Sequence, residues 1–295
     1  MKINPKETPI PQLHGLLLGA VAPRPIAFAS TIDKNGNVNL SPFSFFNVFS
    51  ANPPILIFSP ARRGRDNTTK HTYENVKEHA EVVINVVNYG MVEQMSLAST
   101  EYEKGVDEFI KSGFTKVDSD VVKPPRVKES PVSFECVVKE VKELGDQGGA
   151  GNLVICEVVM MHVSDGILDS DGKIDPQKID LVARMGADWY TRAKTDAFEV
   201  AKPLVTKGIG VDQLPKAIRN SSILTGNDLG KLGNVEQLPT EEEVSAFGTE
   251  PEVQAILTGL VGDPDQLSGE LHKLASIFLY RGEVKSAWKV LLQAE

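Results

Sequence analysis

The chain has 295 residues, of which 41% are hydrophobic and 24% charged; this suits a globular protein with a sizeable core and excludes disorder on a large scale, and the length fits one barrel with an appended helical region as well as two domains. A formal net charge of −9 argues against a general nucleic-acid or anionic-membrane surface, where Lys and Arg are in excess. No apolar run approaches the roughly 18 residues needed to span a membrane, and the polar stretch 1–8 lacks the apolar core of a signal peptide, so the expected compartment is the cytoplasm.

In chain order, residues 26–32 form a loosely alternating, β-prone run, and Asp33-Lys34-Asn35-Gly36-Asn37 follows as a turn signal, which predicts a hairpin. The continuation over 38–50 carries Phe43, Phe45, Phe46 and Phe49, and Pro53-Pro54 punctuates the chain before a strand at 55–58. Residues 61–70 are polar, with Arg62, Arg63, Arg65 and Lys70 close together, and 72–79 reads as a short helix capped by Thr72. A strand is expected at 81–87, with helices at 89–100 and 106–112. Two long strands follow at 132–143 and 152–163, separated by a loop with Gly148, Gly149 and Gly151. Each of these strands holds one cysteine, Cys136 and Cys156; the expectation is two buried, reduced thiols acting as small hydrophobes, with a disulfide across the paired strands as the rival. Residues 165–180 are turn-rich, and 181–190 brings Arg184, Gly186, Trp189 and Tyr190 to the barrel's end. From about Thr195 the character changes. Residues 202–234 are rich in Gly, Asn and Leu, Thr240 opens a capping box with Glu243, and helices are expected at 241–247, 252–259, 266–280 and 284–292, the last two joined by Arg281-Gly282-Glu283.

Two stretches carry chemistry. The first is the basic loop that runs into Lys70-His71-Thr72 at a helix start, where unsatisfied N–H groups and the positive dipole end favour an anion and Arg forks match phosphate oxygens. A solvated basic loop with an ordinary Thr cap is the alternative. The second is Leu40-Ser41-Pro42-Phe43-Ser44-Phe45-Phe46-Asn47, which offers an apolar face and polar edge groups to a flat heteroaromatic ring; four phenylalanines making core is the alternative there.

Taken in order, Ala22-Pro23-Arg24-Pro25-Ile26-Ala27-Phe28-Ala29-Ser30-Thr31, the turn Asp33 to Gly36, Asn39 to Asn47, and Pro53-Pro54 resemble the flavin reductase-like family with its flavoredoxin-type members. Lys70-His71-Thr72 with Asn75 stands where that family has Lys-Asp-Thr and a spaced Asn, so His71 departs from the pattern. The segment Arg184 to Tyr190 resembles the family's closing Arg-x-Gly. The resemblance covers roughly residues 10–195, dividing the chain into a barrel domain, 1–195, and a mostly helical extension, 196–295. It implies a fold that is mainly β with α, an FMN-binding split β-barrel of Greek-key-like topology with an appended C-terminal helical region. It also implies a homodimer with the flavin near the subunit interface. By the same resemblance Ser44, Phe45, Phe46 and Asn47 lie beside the ring, Ser59, Arg62, Lys70 and Thr72 lie toward the phosphate, and Ser41 and Pro42 offer backbone contacts.

The function implied is an oxidoreductase in which FMN accepts hydride at N5 from NADH or NADPH. No catalytic side chain is demanded, and Asn47 is the preferred group for tuning the ring. The rivals are a flavoredoxin-type FMN electron carrier serving a redox partner protein, and an interaction module on a degenerate barrel. Other signals fail. Gly208-Ile209-Gly210 is followed by Gln213 where a dinucleotide fingerprint needs Gly; an EF-hand over 167–178 would start at Ile167, which cannot ligate calcium. The five histidines show no metal spacing, so no metal is expected, and residues 274–291 resemble a lone tetratricopeptide unit, read as a helical hairpin.

Overall fold

A computed structural model describes residues 1–203 and 207–294. The chain forms two compact units, Met1–Phe198 and Glu199–Glu295. The second contains residues 204–206 and 295 of the stretch read as a helical extension, and these lie outside the described residues.

In the first unit helix α1 (Ile10–Ala20) precedes strands β1 (Ala27–Ile32), β2 (Val38–Phe43), β3 (Phe46–Ala51) and β4 (Pro54–Phe58). Helix α2 (His71–Glu78), strand β5 (Glu81–Val86), and helices α3 (Val92–Leu97) and α4 (Glu108–Ser112) follow. Then come the short pair β6 (Lys116–Val117) and β7 (Arg126–Val127), the long hairpin β8 (Val132–Glu143) and β9 (Asn152–Val163), helix α5 (Pro176–Ile179), the ribbon β10 (Val182–Arg184) and β11 (Tyr190–Arg192), and helix α6 (Ala193–Asp196).

Seven strands make one antiparallel sheet in the order β2-β1-β5-β8-β9-β4-β3. Its two edges, β2 and β3, are consecutive in the chain and joined only by Ser44 and Phe45. Two residues reach about 7 Å, so opposite edges of a seven-stranded sheet meet only if the sheet rolls up. The result is a barrel left unpaired between β2 and β3. Inside it lie Ala27, Ala29, Phe43, Leu56, Phe58, Ile84, Cys136, Val154 and Cys156, with Val76 of α2 packed on them. Period-2 alternation sends the intervening residues of β1 outward. There Phe28 packs with Leu40, Met91, Met95, Phe109 and Phe114 under α3 and α4, so β1 is buried on both faces.

Both cysteines are free and buried in this interior. Burial pushes the Cys136 thiol up to about 12 and raises that of Cys156, so neither supplies a thiolate. The register pairs Cys136 with Val158 and Cys156 with Val138.

Helices α1 and α2 and the helix read at 89–100 differ from expectation. Helix α2 starts one residue early, with Lys70 at the N-cap and no side-chain cap; Thr72 is buried and turned to Asn39 instead. The helix read at 89–100 is a short 3₁₀ turn, Tyr89–Met91, followed by α3. Helix α1 escaped notice because it is mostly apolar, with only Gln12 and His14 polar, and buries no residue, so it lacks the two-faced pattern by which surface helices are recognised.

The second unit is helical: α7 (Lys216–Arg219), α8 (Gly226–Gly233), α9 (Glu241–Phe247), α10 (Pro251–Gly259), α11 (Pro264–Tyr280) and α12 (Val284–Leu291). Thr240 and Glu243 close the expected capping box on α9. Its core gathers Leu232, Val253, Leu271, Leu279 and Leu291 around Trp288, whose Nε1–H donates to Leu232 O at 3.1 Å. Helix α8 was not foreseen from its glycine content. Its last glycine, Gly233, serves close approach: a Cβ there would lie 3.0 Å from Val211 N, and one at Gly208 would lie 2.5 Å from Gly233 O.

Candidate functional site

Strand β2 ties two neighbourhoods together. At its C-terminal end the chain crosses the barrel's split through Ser44 and Phe45 into Phe46 and Asn47 of β3. Phe45 and Asn47 are exposed, Ser44 and Phe46 half-buried. The Phe45 ring meets His14 edge-on with centroids 6.4 Å apart, and its carbonyl accepts from Ser59 N–H at 2.9 Å. Asn47 Oδ1 accepts from Val48 N–H at 2.8 Å, which leaves the Nδ2 hydrogens as the outward donors. Ser44 Oγ stands 3.5 Å from Arg24 Nε. Arg24 itself is buried and donates to Leu18 O, Val21 O and Met185 O, so it caps the negative end of α1 and fixes the segment beside Ser44.

On the other side of β2 an open cleft of about 320 Å³ has Ser41, Arg63, Lys70, Thr72, Thr100 and Glu101 among its lining residues. The start of α2 faces it without a side-chain cap, leaving first-turn N–H groups for a ligand. Thr72 Oγ1 accepts from Asn39 Nδ2 at 3.0 Å and keeps its own hydrogen to donate. Arg63 Nε and Lys70 Nζ lie 2.9 and 3.4 Å from Glu101 Oε1. His71 also lines the cleft; burial lowers its pKa, as do Arg63, Lys104 and Lys70, against an upward pull from Glu74. Glu108, buried behind the cleft, accepts from Leu40 N–H at 3.0 Å, and burial raises its carboxyl above the ordinary range.

Of the residues expected at the phosphate end, Lys70 and Thr72 line the cleft together with Ser41, whereas Ser59 and Arg62 do not. Ser59 Oγ accepts from Asn152 N–H at 3.0 Å. The Arg62 guanidinium is spent on Asn67, with Nε to Oδ1 and Nη2 to the carbonyl, each at 2.7 Å. Its backbone N–H donates to Ala150 O. Both therefore hold the glycine-rich loop against the barrel. Pro42 lies in β2 opposite Phe28, half-buried. Arg63, Thr100 and Glu101 were not nominated. Arg63 sits in the basic loop already singled out, but nothing local to Thr100 and Glu101 marks them, because they reach the cleft from the loop after α3.

The donor set fits a phosphate monoester: an uncapped helix start, the Arg63 guanidinium, held in place by its Nη1 bonds to Thr68 Oγ1 and Thr69 O, an ammonium and hydroxyls. Among the described residues one group has metal-ligand spacing, Asp120, Glu135 and His162. It does not fit a cation, because Glu135 already accepts from three backbone N–H groups, whose dipoles oppose positive charge.

Fold and site together define the class, a split β-barrel with a cleft lined by Ser41, Arg63, Lys70 and Thr72 beside its edge strand β2. A family model described as a flavin reductase like domain matches residues 19–176, more than half of the chain. An uncharacterized protein of Aquifex aeolicus is 39% identical over 193 residues, 65% of this chain and 96% of that protein. Nitrilotriacetate monooxygenase component B from Bacillus cereus superposes with a TM-score of 0.64 at 29% identity, over 68% of this chain and 98% of that one. Flavoredoxin of Desulfovibrio vulgaris (Miyazaki F), 19% identical with a TM-score of 0.53 over 70% of this chain and 98% of that one, shares the fold. The chain belongs to the flavin reductase-like family.

Proposed function

We propose that the protein is an FMN-binding oxidoreductase that uses NADH or NADPH as electron donor. The observation that carries this reading is the placement of a phosphate-type donor set and an exposed aromatic–amide segment at the two ends of one strand stretch. Ser41 and Ser44 are three residues apart, about 10 Å along an extended chain, the scale of a flavin's ribityl-phosphate arm. FMN, when bound, supplies hydride acceptance at N5. The chain's own residues then have separate tasks. Lys70, Arg63 and the first amides of α2 hold the phosphate, and Ser41 and Thr72 donate hydroxyl hydrogens to it. Phe45 and Phe46 give the ring an apolar bed, Ser44 and the backbone at Pro42 meet its edge, and Asn47 Nδ2 donates to a polar ring atom. Ser59 and Arg62 act from behind by fixing the loop over residues 145–151.

The test is direct. The purified protein is expected to be yellow or to bind added FMN, to release FMN on denaturation, and to oxidise NADH or NADPH with FMN present. Retained FMN with no nicotinamide oxidation moves the assignment to an electron carrier, and a colourless protein that ignores added FMN overturns it.

We also propose a homodimer. Helix α1 exposes Ile10, Leu16 and Leu17, the edge strand β3 exposes Val48 and Phe49, and β9 exposes Val159, Met160 and Met161. An apolar edge strand invites pairing, and apolar patches of this kind on a monomer mark association sites. Sedimentation equilibrium is expected to give twice the chain mass of 32.1 kDa, and Val48→Lys with Phe49→Glu to reduce it to the monomer; a monomeric parent overturns the proposal.

A further inference from the structure

The cleft contains its own anion. Glu101 Oε1 accepts from Arg63 Nε at 2.9 Å and faces Lys70 Nζ at 3.4 Å, while Oε2 pairs with Arg65. One carboxylate thus gathers three cations of the basic loop. The other acids nearby are committed elsewhere. Asp66 is held by the Thr68 N–H and hydroxyl and shares Arg65 at 3.3 Å, leaving Arg63 and Lys70 to Glu101; Glu74 is held by Lys104 and Thr69, and Glu108 by Leu40 N–H.

We propose that Glu101 is an internal competitor for the anion site, exchanging with the flavin phosphate on Arg63 and Lys70 and so making the flavin a dissociable ligand. The proposal rests on the FMN reading above and adds to it a determinant of how tightly the phosphate is held. Carboxylate and phosphate oxygens accept from the same charged donors, so the two compete for Arg63 Nε and Lys70 Nζ, while Arg63 Nη1 stays on Thr68 Oγ1 and Thr69 O. Exchange is mechanically easy. Glu101 sits outside any helix or strand, in the loop between α3 and α4, and its side chain is 35% exposed, so it can turn into solvent without breaking a backbone ladder. Its ion pairs are partly solvated and individually weak, which lets a phosphate of higher charge replace it. The hydrogen bond from Arg63, with support from Lys70, lowers its pKa, and the competing group is the carboxylate at neutral pH.

A purely structural Glu101, one that holds Arg63 and Lys70 in place for the ligand, predicts the opposite sign on removal. Glu101→Gln keeps the shape and one acceptor for Arg63 but removes the charge. Fluorescence titration is expected to show about tenfold tighter FMN, slower FMN dissociation, and riboflavin within about twofold of the parent. Glu101→Ser carries the same expectation and serves if the Gln variant folds poorly. FMN that binds unchanged or more weakly to both variants overturns the proposal. If neither parent nor variants bind FMN or riboflavin, the flavin reading fails, and inorganic phosphate then decides the competition alone. Phosphate that raises the variants' melting temperatures at lower concentration than the parent's supports it; equal or absent stabilisation overturns it.

Discussion

Lys70→Ala combined with Thr72→Ala is expected to weaken FMN binding on the order of 100-fold while riboflavin stays within about threefold, as read by quenching of flavin fluorescence. A hydrogen bond to a charged group contributes about 1.5–3 kcal/mol and a neutral one about 1 kcal/mol. Their sum corresponds to roughly two decades or more in affinity, and riboflavin, which lacks the phosphate, makes neither contact. Lys70 is only partly exposed, so its attraction to a phosphate is less screened than that of a free surface lysine. The structure also warns of a side effect. Thr72 is buried and its hydroxyl receives Asn39 Nδ2, so the Ala variant strands a buried donor at a cost of about 1–3 kcal/mol in stability. Thr72→Ser restores the hydroxyl and should recover both stability and FMN affinity. Equal weakening of FMN and riboflavin by the double variant places the phosphate elsewhere.

Glu135→Ala is expected to destabilise the first unit by about 3–5 kcal/mol, because it orphans three backbone donors at about 1–3 kcal/mol for each that stays buried, seen as a fall in the urea midpoint. Glu135 is fully buried in β8 and accepts from the N–H groups of Asp120, Val121 and Val122 at 2.8, 2.6 and 3.1 Å, with His162 Nε2 at 2.6 Å. The carboxylate pins the loop between β6 and β7 to the barrel wall. Burial pushes its pKa up, but the hydrogen bonds from Asp120, His162, Val121 and Val122 prevail and hold it below the ordinary value of 4.5. A folded pKa below the unfolded one means stability that is fully present above 4.5 and lost as pH falls through the folded value. The gap between the parent and Glu135→Gln should therefore be widest near neutral pH and narrow in acid. A pH-independent gap shows that the ionised form is not what the loop requires.

The two long strands of the β8–β9 hairpin occupy 132–143 and 152–163, as their β-branched runs and intervening glycines foretold, and the capping box at Thr240 opens α9. Such features are legible because a turn, a cap or a period-2 pattern is written in neighbouring residues. Helix α2 shows the limit: the Thr cap pattern was present, but the Thr72 hydroxyl accepts from Asn39, 33 residues away, and the helix starts at His71 with Lys70 at the N-cap. The same limit separates Arg62 from Arg63. Both are arginines of one loop, and only the packed fold shows the first bonded to Asn67 and the second to Thr68, Thr69 and the Glu101 carboxylate at the cleft.

By itself the sequence determined the long strands of the first unit and the last four helices of the second, the buried state of the two cysteines, the resemblance to a flavin-binding family, and the candidate stretches Ser41 to Asn47 and Lys70 to Thr72. The tertiary structure alone decided that β2 and β3 are opposite edges meeting across a two-residue link, that Ser59 and Arg62 support a loop, and that Glu101 lies among the cations of the cleft. The physical reason is range. Propensity, capping and alternation act over a few residues, whereas barrel closure and the pairing of Glu101 with Lys70, 31 residues apart, depend on where distant segments are brought to rest.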